Sequence, residues 1–190
     1  MNVKANAKSD AQLVQELCAQ FSAAIPCDER ERESVTKFLD IAPTLVKPFD
    51  EFSDPTHITG SGIVVGERGV VLHLHKRLNL WLQPGGHIEK DEHPSAGALR
   101  EAQEETGLHV RHPESGAVFF HLDVHPGPRG HTHLDLRYLL LAEHLEAPAP
   151  GAEESQEVRW FSWAEAAAIA DAGLVGALLR AQELIRTYVR

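Results

Sequence analysis

One stretch in the middle of the chain, from Trp81 to Leu108, constrains the fold more than any other part of the sequence. It carries glycines, an arginine and four glutamates at fixed intervals. At background frequencies of about 5–7% per residue, seven preset positions agree by chance about once in 10⁸–10⁹ windows. The spacing therefore reflects a specific structure, formed by Gly86, Glu92, Arg100, Glu101, Glu104, Glu105 and Gly107.

The second half of this stretch is predicted to be a helix. Pro94 suits a first helical position, and Gly107 suits a left-handed stop. On this helix Glu101, Glu104 and Glu105 stand at positions i, i+3 and i+4, so their carboxylates project from one face. Because like charges this close repel one another, the set predicts a compensating cation. Oxygen ligands without Cys or His favour Mg²⁺ or Mn²⁺.

The segment Pro84-Gly85-Gly86-His87 precedes the helix and is predicted to be a loop. Its glycines allow a backbone carbonyl to approach a metal closely, and Gly85 is the preferred donor. Three glutamates alone are usually a solvated acidic helix face. A solvated helix face does not account for the glycines, Glu92 and Arg100, which stand at fixed spacings from the three glutamates.

This stretch resembles the signature of the Nudix hydrolases: Gly, five residues, Glu, seven residues, then Arg-Glu-aliphatic-x-Glu-Glu-x-Gly-aliphatic. Here the signature runs over 23 residues from Gly86 to Leu108, and only Ala102 departs from it, being smaller than the usual aliphatic residue. The likeness extends from His57 to near Trp163, more than half of the chain. The N-terminal segment lies outside it.

The resemblance implies an α/β fold, a Nudix-like α/β/α sandwich with a mixed sheet and an N-terminal helical extension. The expected division is an extension over residues 1–55, packed on a Nudix hydrolase domain over residues 56–190. The implied enzyme is a pyrophosphohydrolase that uses Mg²⁺ or Mn²⁺. It would cleave a diphosphate bond in a nucleoside diphosphate linked to another moiety, or in a related small phosphorylated metabolite.

Carried over position by position, the resemblance also implies roles for the residues of the signature. The metal ligands would be the Gly85 carbonyl and three glutamates, two of which are also expected to be catalytic. Arg100 and Glu92 would form an ion pair that supports the site, together with Gly86 and Gly107. The three glutamates are Glu101, Glu104 and Glu105, of which the last two are the catalytic pair.

The family usually adds one more carboxylate, as ligand or general base, from a loop shortly before a late strand that contains Trp. In this chain the matching residue is Glu154, six residues before Trp160. Glu153 and Glu157 are close rivals. A solvated loop acid is the alternative for each of the three.

Several histidines crowd the segment before and within a predicted strand. On that strand His131, His133, Asp135 and Arg137 alternate onto one face, which predicts a lined pocket. Arg137 and His133 are predicted to shape substrate choice, and His87 is predicted to contact the substrate. A structural role is the alternative for each. A zinc site at His131, His133 and Asp135 has workable spacing but no supporting Cys.

Composition narrows the partners and the location. The formal net charge of −10 argues against nucleic acid duplexes as partners and leaves small nucleotides open. The sequence has no apolar run of 18 residues and no signal-peptide core at its start, so we expect a cytoplasmic protein without membrane insertion. Cys18 and Cys27 are expected to be free, buried thiols.

Two other functions are compatible with this fold. A non-catalytic module that senses a nucleotide would be expected to have lost glutamates, and this chain keeps them all. A prenyl-diphosphate isomerase would need a catalytic Cys near the site, whereas Cys18 and Cys27 lie outside the matching region. For the N-terminal 50 residues, a homodimer surface and a cap over the pocket both stay open, and the particular substrate is not predicted.

Periodicity and turn residues predict the other elements coarsely. Helices are expected over 11–25, 31–40, 163–172 and 174–189. Strands are expected over 57–65, 69–76, 118–124, 133–142 and 158–161, with loops at 126–130 and 147–151.

Overall fold

The computed structural model describes residues 8–144 and 146–188 of the 190-residue chain. Within these residues, two short 3₁₀ turns, at Ala42–Thr44 and Pro128–Gly130, supplement five helices and eight strands. The helices are α1 (Asp10–Ala23), α2 (Glu29–Ile41), α3 (Pro94–Thr106), α4 (Trp163–Ile169) and α5 (Ala172–Tyr188). The strands are β1 (Thr56–Gly66), β2 (Gly69–Leu74), β3 (Trp81–Leu82), β4 (Gly85–His87), β5 (Val110–Arg111), β6 (Val118–Pro126), β7 (Thr132–Ala142) and β8 (Val158–Phe161).

The eight strands form one mixed sheet, centred on β1 and β7. These two strands run parallel, with His57 opposite His133 and Thr59 opposite Asp135. On its other side β1 pairs antiparallel with β4 and with β2, and β2 also pairs with β3 and β8. β5 and β6 pair antiparallel with β7. The short strand β4 thus lies directly beside the middle of β1.

Alternation along β1 and β7 gives the sheet two different faces. One face packs against α1, α2 and α3 through residues such as Ile58, Leu136 and Leu140. The opposite face is apolar at one end, where Ile63 and Leu139 pack against α4 and α5. At the other end the same face carries buried polar side chains. The fold is the α/β sandwich with flanking helices that the sequence predicts.

The N-terminal helices pack on the sheet and close its β6 edge. Capping side chains start both helices, Ser9 for α1 and Asp28 for α2. In α2 the carboxylate of Glu31 accepts the backbone N–H of Leu122, and the hydroxyl of Ser34 accepts the N–H of Val124. These side chains take the place of a neighbouring strand.

The motif helix α3 and strand β8 begin and end where the sequence predicts, and most other elements agree within a few residues. Two expectations were wrong. The glycine pair was expected in a loop, but Gly85–His87 forms strand β4, because three residues of β1 supply its hydrogen-bonding partners. Cys27 is exposed rather than buried, since it lies in the connection between α1 and α2, although both thiols are free as expected. The predicted end of the last helix at Val189 lies outside the described residues.

Within the described part of the chain, no helix combines the length and the apolar character needed to cross a membrane.

Candidate active site

Strand β4 and helix α3 face each other across a narrow gap at the centre of the candidate site. The backbone N–H of Gly85 donates to Oε2 of Glu105 over 2.9 Å. A Cβ atom on Gly86 would lie only 2.6 Å from Oε1 of Glu101, so a side chain at this position would displace that carboxylate. Glycine at position 86 is therefore required by close packing against the acidic face of α3.

Gly107 has a different reason to be glycine. It ends α3 in the left-handed conformation, with φ 66°, and its N–H donates to the carbonyl of Gln103. A Cβ at this position would also collide with the carbonyl of Ala149. The glycine thus fixes the end of the helix that carries the glutamates.

Arg100 holds this region together. Its Nε and Nη2 donate to the two carboxylate oxygens of Glu92, each over 3.1 Å, in a bidentate pair. Its Nη1 contacts Glu101 at 2.8 Å and Glu104 at 3.1 Å, and its Nη2 also donates to the backbone carbonyl of His87. The guanidinium therefore ties α3 to the end of β4 and to the loop between them.

Burial disfavours the charged form of the most enclosed carboxyl groups of the cluster. Burial raises the pKa of Glu105 to about 8, and burial likewise raises the pKa of Glu101 despite the hydrogen bond from Arg100. Glu105 has no Lys or Arg partner among residues 8–144 and 146–188. Burial opposes ionisation of Glu92 too, but its hydrogen bonds with Arg100 hold its pKa below the ordinary value.

These residues fit a hard divalent cation. The carboxylate oxygens that meet here are hard donors, as Mg²⁺ and Mn²⁺ prefer. A buried carboxyl with a strongly raised pKa and no basic partner is stabilised when a cation joins it. Glu101 and Glu105 are mostly buried, with side chains 18% and 15% exposed, whereas Glu104 is 53% exposed.

The loop before β8 brings a further carboxylate near this cluster. The hydroxyl of Ser155 donates to the carbonyl of Leu74 over 2.7 Å, which anchors the loop on β2. Glu154 is half-buried, and its charge raises the pKa of both Glu101 and Glu105. Of the three acidic residues that the sequence predicts as candidates in this loop, Glu154 is therefore the one whose charge affects the pKa of the buried glutamates.

Its rivals are placed differently. Glu153 and Glu157 are both exposed. Glu157 forms an ion pair with the neighbouring Arg159, and the backbone carbonyl of Glu153 accepts the ammonium of Lys76.

Arg137 lies in a buried polar network rather than in an open pocket. Its side chain is 3% exposed and forms ion pairs with Asp135 at 3.1 Å and Asp123 at 3.5 Å. It also donates to the backbone carbonyl of Gly173, so α5 covers it. This placement favours a structural role for Arg137 over the substrate contact predicted from the sequence.

Asp135 completes that network and is not available as a metal ligand. Its carboxylate accepts the hydroxyls of Thr59 at 3.2 Å and Ser61 at 2.8 Å, the Arg137 guanidinium, and the side-chain amide of Gln83. The strand alternation predicted from the sequence is present, but the pocket expected beside Asp135 is filled by protein side chains.

His87 and His133 are half-buried and lie close together, with ring centroids 5.4 Å apart. Two neighbouring histidines were not singled out from the sequence. The ring of His57 packs against both of them, with its centroid 5.1 Å from each of the other two. His73 places Nδ1 3.8 Å from Oε1 of Glu105, too far for a hydrogen bond, and burial lowers its pKa to about 4, so it is neutral. His57 and His73 could have been identified only from the pairing of their strands, β1 and β2, with neighbouring strands of the sheet.

The fold and the glutamate cluster together define a Nudix-type domain. The chain matches the NUDIX domain family over residues 55–179, about two thirds of its length, and it belongs to that family. The prediction made from the signature is thereby confirmed at the level of the family and the fold.

Individual relatives cover this region only in part. A MutT-like protein of Streptomyces ambofaciens is 39% identical over 75 residues, which are 38% of this chain and 49% of that protein. An m7GpppN-mRNA hydrolase of Xenopus laevis, NUDT17, is 34% identical over 79 residues, 35% of this chain and 27% of that protein. The chain therefore spans about half the length of the first of these curated relatives and about a quarter of the second.

Among solved structures, a NUDIX-family hydrolase from Clostridium perfringens superposes with a TM-score of 0.59 and 26% identity. The match covers 68% of this chain and 97% of that chain. The family match begins at residue 55, after helices α1 and α2.

The raised pKa of Glu105 predicts how the stability of the metal-free protein varies with pH. Because the folded-state pKa of about 8 lies above the ordinary value of 4.5, the folded chain holds a proton that the unfolded chain releases. This contribution to stability is complete below about pH 4.5 and is lost as the pH rises through 8.

We expect the free energy of unfolding, measured by urea denaturation with a chelator present, to fall more steeply between about pH 5 and pH 8 in the wild type than in Glu105→Gln. The variant removes the titrating proton and leaves the other groups in place, so it serves as the reference. Parallel pH profiles for the two proteins would contradict the raised pKa.

Proposed function

We propose that this protein is a divalent-metal-dependent pyrophosphohydrolase acting on a small nucleotide-type substrate, a nucleoside diphosphate linked to another moiety. The observation that carries this proposal is the packing of Glu101 and Glu105 against the glycine strand, with Glu104 joined to Glu101 through Arg100. Family membership supports hydrolysis of pyrophosphate bonds in general. The metal requirement and the kind of substrate are our inference.

The chain's own residues have separable tasks in this scheme. We assign metal binding to the three helix glutamates and the Gly85 carbonyl, with Mg²⁺ or Mn²⁺ as the ion. When bound, the ion neutralises charge on phosphate oxygens and makes water more acidic. Arg100 and Glu92 position the helix against β4. Glu154 is the further carboxylate, as ligand or general base.

The substrate class follows from charge and from the relatives. A protein with a net charge of −10 has no basic excess for contacts along a long polyanion, so a small substrate is favoured. The Xenopus relative bears the name of an m7GpppN-mRNA hydrolase, which makes a capped dinucleotide a reasonable member of the test set. We further propose a cytoplasmic enzyme that acts without nucleic acid duplex or membrane partners.

The proposal is tested with the full chain and a panel of substrates. The panel contains ADP-ribose, dinucleotides, diadenosine polyphosphates, nucleotide sugars, oxidised nucleoside triphosphates and a capped dinucleotide. Released phosphate or nucleotide is measured with Mg²⁺, with Mn²⁺ and with a chelator. We expect hydrolysis of at least one diphosphate compound that the chelator abolishes. Turnover that persists in the chelator would contradict metal dependence, and no turnover of any compound would contradict the activity.

Glu154 provides a separate prediction. Its half-buried position and its influence on the pKa of Glu101 and Glu105 support a role for its charge in the reaction, whereas Glu153 is exposed. We expect Glu154→Ala to lower kcat at least about tenfold, since general acid–base groups contribute roughly 10²–10⁴-fold. Glu153→Ala is the matched control and should retain the wild-type rate. The reverse pattern would move the role to Glu153.

A further inference from the structure

Four histidines converge on the polar half of one sheet face, next to the glycine strand but separate from the glutamate cluster. His57 lies in β1, His87 in β4 and His133 in β7, while His131 directly precedes β7. They meet because β7 pairs in parallel with β1, with His133 opposite His57, and because β4 pairs with β1 at Thr59. Each histidine offers one ring nitrogen, and the four nitrogens all lie within 4.8 Å of one another.

The cluster contains buried nitrogens without a hydrogen-bond partner. Nε2 of His57, of His87 and of His133 is buried and has no such partner in the structure. His57 is fully buried, at 0% exposure. Buried polar atoms are nearly always hydrogen-bonded in proteins. Three unsatisfied nitrogens at one place therefore require an explanation, and a shared bound atom supplies one.

His57 is oriented in the way that metal-binding histidines usually are. Its Nδ1 lies 3.2 Å from the backbone carbonyl oxygen of Asp54. Because a carbonyl oxygen only accepts hydrogen bonds, this contact requires a proton on Nδ1. Nε2 then carries the free lone pair. Histidines that bind metals commonly use one ring nitrogen as the ligand and donate the N–H of the other ring nitrogen to a carbonyl or carboxylate. Burial also lowers the pKa of His57, and lowers that of His133 to about 3, so both rings are neutral.

We propose that His57, His87, His131 and His133 form a second metal site, which takes Zn²⁺ or a similar borderline transition metal. Four imidazole ligands suit such an ion and do not suit Mg²⁺, which prefers oxygen ligands. A tetrahedral ion with Zn–N distances of about 2.0–2.1 Å needs its ligand nitrogens about 3.3–3.4 Å apart. The four nitrogens, which all lie within 4.8 Å of one another, would move closer together to reach this spacing.

The bound ion would have a structural effect on the catalytic region. Four protein ligands leave no open coordination position, as in structural zinc sites. The ion would link β1, β4 and β7 at one point, and β4 carries Gly85 and Gly86. Glu51 lies beside the site, 3.5 Å from Nε2 of His87, and supplies a negative charge from the N-terminal extension. His87 and His133 would then hold the ion rather than contact substrate.

A second group of potential ligands, Cys27, Glu31 and His121, is a weaker candidate. The carboxylate of Glu31 already accepts the backbone N–H groups of Cys27 and Leu122 and pairs with Arg180. One buried nitrogen, Nδ1 of His121, has no hydrogen-bond partner there, compared with three such nitrogens in the histidine cluster.

Zinc binding is measured on the full chain after removal of metals, by competition with a chromogenic zinc chelator. We expect one Zn²⁺ per chain in the histidine site, and a loss of affinity of at least about 10²-fold in His131→Ala and in His133→Ala. His131 is half-buried, so its replacement leaves the core intact. His109→Ala is the matched control, because its side chain is 73% exposed. Equal zinc affinity in the wild type and both site variants would overturn the proposal.

Cobalt identifies the ligands independently of activity. Co²⁺ in a tetrahedral nitrogen site gives strong visible absorption bands, whereas Co²⁺ on oxygen ligands in octahedral geometry gives weak ones. We expect the strong bands in the wild type and in Glu105→Gln, and their loss in His133→Ala. Bands that disappear in Glu105→Gln but persist in His133→Ala would place the metal on the glutamates and refute the histidine site. Neither assay requires turnover, so its outcome is separate from that of the proposed function.

Discussion

Glu105→Gln and Glu104→Gln are each expected to lower turnover at least about 10²-fold in saturating Mg²⁺. Each substitution keeps the shape of the side chain and removes one negative charge from the metal cluster, on which charge neutralisation of the phosphate depends. The measurement is kcat on the best substrate of the panel. The fold should be intact in both, because Glu104 is 53% exposed and the buried Glu105 is already stabilised in its neutral form.

Glu114→Gln is the control for this pair, because it makes the same chemical change at an exposed position outside the site. It should turn over substrate at the wild-type rate. Near-wild-type rates in both Glu104→Gln and Glu105→Gln would remove the basis for assigning catalysis to this face of α3. A loss in Glu105→Gln alone would make Glu104 a surface residue of the helix.

Arg137→Ala is expected to lower the free energy of unfolding by about 3–5 kcal/mol, the usual effect of removing one partner of a buried ion pair. The side chain is 3% exposed, and its loss would leave Asp135 without its basic partner. Asp123 would keep the half-exposed Arg30. The measurement is urea denaturation at neutral pH.

Arg159→Ala is the comparison for an exposed pair. Arg159 and Glu157 are 61% and 52% exposed, so their separation should cost only about 0–1 kcal/mol. If Arg137→Ala instead keeps the wild-type stability and raises KM with kcat little changed, Arg137 contacts the substrate, as the sequence predicts. A large fall in kcat at unchanged KM would place its charge on the transition state.

The fold was predictable wherever a local signal existed. Pro94 and Gly107 mark the ends of α3 because proline and a left-handed glycine have position-specific backbone preferences. Strand β4 was missed because its three residues carry a turn-like sequence, and their extended conformation depends on pairing with β1. The conformation of β4 depends on a strand that is distant in the sequence, and local periodicity does not report such pairing.

The candidate site divides in the same way. The glutamates of α3 could be placed on one face because a helix fixes the relative directions of residues three and four apart. The four-histidine cluster could not be derived, since His57, His87 and His133 are brought together by the register of three strands. Strand alternation correctly predicts the face of the sheet on which Arg137 lies. It does not predict that α5, a distant part of the chain, covers this residue.

The side-chain contacts of α2 with β6 also bear on the behaviour of the protein at high concentration. An open edge strand presents free N–H and C=O groups that can recruit a strand from another molecule, the first step of β-sheet polymerisation. Here Glu31 and Ser34 occupy the N–H groups of Leu122 and Val124, and the bulk of the helix prevents a foreign strand from approaching. We therefore expect the N-terminal helices to protect this edge of the sheet against aggregation.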